Sequence, residues 1–105
     1  MQKVKIVFDI DATLRCNCTD TCNDSNQPMI SLVHILGKYF KNVQLYAWSG
    51  GGKNYTWNFV RTHGLGKVIP EEHCFSKLDA PKMDIAIDDQ HEFSLAEVNL
   101  IVRLK

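Results

Sequence analysis

The chain has 105 residues, 45% of them hydrophobic, and its 12 Lys+Arg against 12 Asp+Glu leave a formal net charge of zero. That length suits one domain, residues 1–105, with a core of modest size. The even charge gives no basic footprint for tight, sequence-independent binding of nucleic acid, and the apolar runs are far too short to span a membrane.

Lys3 to Phe8 is a short, β-branched run of the kind that forms a buried parallel strand. It meets Asp9 before any signal-peptide core can form, so the chain reads as cytoplasmic. Residues 15–27 are polar and turn-rich and predict a loop. Pro28 marks a helix start, with Met29, Leu32, Val33, Leu36 and Phe40 at inward-facing spacing and Gly37 as a weak point. Val43–Trp48 predicts a second strand that ends at Ser49-Gly50-Gly51-Gly52. A second helix follows from about Lys53 to His63, with Tyr55, Phe59 and Val60 inward and Gly64 as its stop. Cys74–Ser76, Ile85–Asp88 and Asn99–Arg103 complete the strands. Strands alternating with helical segments predict an open, mainly parallel α/β sheet.

Ligands bind such sheets at the carboxyl ends of the strands, beside the point where strand order reverses. The chemically loaded residues fall there repeatedly: Asp9 and Asp11, then Ser49, then Lys77, then Asp88 and Asp89. Carboxylates gathered at the ends of buried strands repel one another and lose hydration, and a cation or a proton relieves both costs. Mg²⁺ is the economical candidate. Gly50, Gly51 and Gly52 at a helix start either let backbone amides approach an anion or form a plain flexible turn.

The cysteines read as free thiols, since no secretory signal accompanies them. A zinc site from Cys16, Cys18 and Cys22, with Cys74, His73 or His34 as fourth ligand, is the weaker alternative because the usual second ligand pair is missing. His91 reads as a surface group, and Tyr46, Trp48, Tyr55 and Trp57 read as core in preference to base-stacking platforms.

Asp9-Ile10-Asp11-Ala12-Thr13 resembles the Asp-x-Asp-x-Thr motif of haloacid-dehalogenase-like (HAD-like) phosphohydrolases. Ser49 is similar to the second motif of that superfamily, Lys77 to the third, and Ile85-Ala86-Ile87-Asp88-Asp89 to the fourth. The glycine turn and Ile87-Asp88-Asp89-Gln90 also resemble small HAD-like proteins encoded by phages. The resemblance implies a Rossmann-like three-layer fold, with a mainly parallel sheet of about five strands and no cap domain. It implies Asp9 as nucleophile, Asp11 as acid and base, and Lys77 as the phosphate-neutralising cation, with Lys53 and Lys82 as rivals for that role. It places Mg²⁺ on Asp9, the Asp11 carbonyl and Asp88, with Asp89 binding directly or through water. Thr13, Ser49, Gly50 and Gly51 fall to phosphate binding. With only the 15–27 loop where larger relatives carry a cap, the implied substrate is a nucleotide, a polynucleotide end or another bulky phosphoester, or else a second copy of the chain completes the site. The alternative class is a non-catalytic phosphate- or metal-binding module similar to a response-regulator receiver, and a third is a zinc-organised interaction module.

Overall fold

The computed structural model describes residues 2–15, 25–90 and 95–103. Five strands form one sheet in which every pairing is parallel: β1 (Val4–Asp9), β2 (Val43–Ser49), β3 (Cys74–Ser76), β4 (Met83–Asp88) and β5 (Ala96–Ile101). Their spatial order is β3-β2-β1-β4-β5. Helix α1 (Gln27–Tyr39) links β1 to β2, and α2 (Lys53–Thr62) leads from β2 towards β3. Among the described residues no helix is long and apolar enough to cross a membrane.

Strand parity divides the core. Ile6, Phe8, Leu45, Ala47 and Ile87 face one side, where they pack with Ile30 and Val33 of α1 and Phe59 and Val60 of α2. Val7, Tyr46, Trp48 and Ala86 face the other side, joined by Met83, Ala96, Phe75, Ala80 and Leu95. Both helices therefore lie on one face. The three layers expected from the sequence reduce, among the described residues, to a sheet with helices on one side and an irregular cover on the other.

Chain economy explains the difference. After β3 the chain must return past β2 and β1 to reach β4, three strand spacings or about 14 Å away. Only residues 77–82 make that return, and as a helix they would span about 9 Å. A turn at Lys77–Asp79 followed by an irregular strand of chain crosses instead, and Ala80 packs on the sheet. Strand order reverses between β1 and β4, so the ends of those two strands, Asp9 and Asp88, flank the crevice where open sheets take ligands.

Candidate functional site

Beyond β1 the chain turns sharply. Ile10 and Leu14 are fully buried on the helical side, and Arg15 N–H donates to the Ile10 carbonyl at 2.7 Å. These two apolar anchors hold the turn against the core and leave Asp11 exposed at its rim. Ala12 sits at φ 62°, the left-handed conformation in which glycine carries no steric penalty. Leu14 and Asn26 are joined backbone to backbone at 2.8 Å, and the Asn26 amide donates to the Thr13 carbonyl at 2.9 Å. The zinc-ligand reading for Cys16, Cys18 and Cys22 falls outside the described residues, as does His91.

Asp9, Asp88 and Asp89 each bring a carboxylate oxygen within 4.8 Å of the others. Asp9 and Asp88 are buried, and Asp89 is half-buried. Lys77, the first residue after β3, reaches across the strand ends, with Nζ 3.0 Å from Asp88 and 3.5 Å from Asp9. Its own N–H is fixed on the Ser49 carbonyl at 3.1 Å. The rival lysines are occupied elsewhere. Lys53 donates to the carbonyls of Glu71 and Cys74, and Lys82 pairs with Glu97 on the surface.

Burial, with Asp88 close by, pushes the Asp9 carboxyl up to about 8 despite the opposing pull of Lys77. Asp88 goes the other way. Burial works against its charge, but the Lys77 ammonium and the Gln90 N–H, which donates at 3.0 Å, outweigh it and hold it below the ordinary carboxylate range. Asp89 is raised by burial and by its hydrogen bond to Asp88. Metal-free, the cluster thus retains a proton and gathers an ammonium to balance its charge. A hard divalent cation would serve better, since every clustered donor is oxygen.

The remaining predicted residues are placed unevenly. Asp9, Asp11, Ala12, Gly50, Lys77, Asp89 and Gln90 line an open depression of about 260 Å³. Thr13 and Ser49 are buried and lie outside that lining. Thr13 Oγ1 has no hydrogen-bond partner among the described residues. Ser49 Oγ accepts from the Gly51 N–H at 2.9 Å, so that amide is already engaged. Gly52 is the N-cap of α2 at φ 102°, where glycine is favoured.

Two contributors were missed by sequence reasoning because both read as core aromatics. Trp48 is fully buried, and its indole N–H donates to Asp88 Oδ2 at 3.0 Å. The Tyr55 hydroxyl donates to Asp11 Oδ1 at 2.6 Å. The available signal for Trp48 was register, since Asp9 pairs with Trp48 and both therefore face the same side of the sheet. His73 and Cys74, named as zinc ligands, are otherwise employed. His73 stacks on Tyr46 with Nδ1 at 3.0 Å from the Leu45 carbonyl. Cys74 is a buried free thiol, pushed up to about 12 by burial, that donates to the Pro70 carbonyl.

These features define a parallel α/β protein with an acidic cluster and a lysine at the switch point of its sheet. No family model, curated protein or solved structure matches the chain.

Proposed function

We propose that the chain is a Mg²⁺-dependent phosphomonoesterase of the HAD-like kind, working in a cytoplasmic setting through an aspartyl-phosphate. The reading is supported most by one convergence: Asp9, Asp88 and Asp89 cluster under Lys77 while Asp11, two residues from Asp9, lines the same depression. Nucleophile, proton carrier and charge-balancing groups then share one opening.

In this reading the Asp9 carboxylate attacks phosphorus, forming the Asp9–phosphorus bond as the bond to the leaving oxygen breaks. Asp11 gives its proton to that oxygen. Asp11 then takes a proton from the water that attacks the acyl phosphate, which releases phosphate and restores both carboxyl groups. Tyr55, bonded to Asp11, positions it at the rim. Lys77 balances charge on the transferred group and on Asp88, and Gly50 with the surrounding turn offers the anion-facing surface. Asp9, Asp88 and the Asp11 carbonyl, with Asp89 directly or through water, would hold Mg²⁺, which would supply charge neutralisation where phosphate meets carboxylate.

The test is Mg²⁺-dependent phosphate release from p-nitrophenyl phosphate, nucleotides and 3′-phosphorylated oligonucleotides. Asp9→Asn is expected to lower kcat by at least about a thousandfold, and Asp11→Asn by about 10²–10⁴-fold. Turnover that survives Asp9→Asn removes the nucleophile assignment. A parent protein inert across the panel favours the binding-module alternative.

A further inference from the structure

A second, smaller pocket lies beside the acidic site. It occupies about 120 Å³ and is lined by Arg15, Tyr55, Asn58, Phe59, Thr62 and His63. The four helical residues recur at the spacing of one α2 face, so the pocket runs along the helix. Tyr55 is shared between the two sites. Its hydroxyl holds Asp11, and its ring packs so closely on Gly51 that a Cβ there would lie 3.1 Å from it. One tyrosine therefore separates the proposed proton donor from the second pocket.

The lining is rich in donors and contains no carboxylate. The Arg15 guanidinium lies 5.7 Å from the Tyr55 ring centre and 5.8 Å from that of Phe59. The His63 ring stacks on Phe59 at 4.0 Å. Arg61 donates to Asn58 Oδ1 at 2.7 Å, occupying the one acceptor of that amide. Arg15 Nε is buried without a hydrogen-bond partner among the described residues. A buried, unpartnered donor on a permanent cation is costly, and an anionic oxygen relieves that cost. The volume fits one anionic head, well under the about 300 Å³ at which pockets for whole small molecules begin.

We propose that this pocket binds a second phosphate carried on the leaving group, so that the substrate is a bisphosphorylated compound gripped at two points. The guanidinium plane suits a phosphate better than a point charge does, because it can donate two parallel hydrogen bonds. The proposal rests on the phosphohydrolase reading for its first phosphate. The second phosphate has two chemical sources, a small bisphosphate or the next phosphodiester of a polynucleotide end.

Binding to Asp9→Asn protein in Mg²⁺, followed by calorimetry, tests the pocket without turnover. A nucleoside 3′,5′-bisphosphate is expected to bind at least about tenfold tighter than either matched monophosphate, the scale of one charge-assisted hydrogen bond. Adding Arg15→Gln is expected to erase that preference. Asn58→Asp, an exposed helix substitution that does not threaten folding, is expected to reduce it. A 3′-phosphorylated trinucleotide that binds tighter still identifies a polynucleotide end, and one that binds like the bisphosphate identifies the small compound. Equal binding of bisphosphate and monophosphates, or a preference untouched by both substitutions, overturns the inference. Failure of the parent to hydrolyse any phosphoester counts against the catalytic reading instead, and leaves this binding result to stand or fall separately.

Discussion

Asp88 Oδ2 accepts from both the Trp48 indole and the Lys77 ammonium, each at 3.0 Å, and the ammonium also lies 5.9 Å from the Trp48 ring centre. Trp48 thus fixes the carboxylate that balances Lys77. Trp48→Phe keeps most of the buried ring but removes that donor. It is expected to weaken Mg²⁺ binding by about 10–100-fold, as loss of a ligand-orienting partner does. It should also destabilise the metal-free fold by about 1–3 kcal/mol. Calorimetric titration with Mg²⁺ and denaturant unfolding check the two effects, and unchanged affinity would show that Asp88 orients itself without the indole. At this scale the carboxylates were legible because Asp9, Asp11, Asp88 and Asp89 follow directly from strands whose apolar runs announce themselves. Lys77 was not separable from Lys53 and Lys82, because a flexible side chain's partner depends on which strand ends lie within reach.

Among the elements, α1 carries Gly37, whose added Cβ would lie 2.5 Å from Val68 Cγ1 and 2.8 Å from Val68 Cβ. From the sequence that glycine is only a flaw in a helix, whereas in the fold it admits the chain that follows α2. Alanine would gain about 1 kcal/mol of helix propensity. The clash falls on a β-branched side chain with little freedom to yield, and overpacking of that kind costs about 1–3 kcal/mol. Gly37→Ala is therefore expected to be net destabilising, by up to about 2 kcal/mol, read as a lower melting temperature; a rise would mean that Val68 moves aside freely. The same helix shows where periodicity misleads. Val33 is buried and Met29, Leu32 and Leu36 pack partly buried against the core as expected, but Ile30 is buried too, and Phe40 falls at the C-cap in extended conformation, 51% exposed. The last strand runs Ala96–Ile101 instead of Asn99–Arg103. It lies at the sheet edge, where Val98 and Leu100 remain exposed, so no buried alternation marks its start.

The whole molecule places Asp9 and Asp88 on the face of the sheet that carries no helix among the described residues. Both helices lie on one face, and residues 77–82 are too short for a helix across the other, which among the described residues is covered by Phe75, Ala80 and Leu95. A parallel sheet was legible from alternating patterns, but the lack of a second helical layer among the described residues follows from distances between strands that no local pattern encodes. The same return lays Lys77 over Asp9 and Asp88, so the connection that thins the fold also supplies the cation of the site. Stability should therefore depend on pH and divalent cation together. Asp9 has its carboxyl raised from 3.8 to about 8, so without metal the folded chain holds a proton that the unfolded chain releases between those values. Stability must then fall as pH rises through that window, by at most about 1.4 kcal/mol per pH unit for one proton. Asp89, also raised, adds to the fall. Asp88, lowered, contributes stability that is lost only on acidification below the ordinary carboxylate range, outside this window. In the proposed reading Mg²⁺ binds the ionised cluster, so protons compete with it less as pH rises. The melting temperature in EDTA is expected to decline from pH 5 to pH 8 while the increment from Mg²⁺ grows, and Asp9→Asn should flatten the decline. A Mg²⁺ increment that stays constant across this range would mean that the buried carboxylates do not hold the cation.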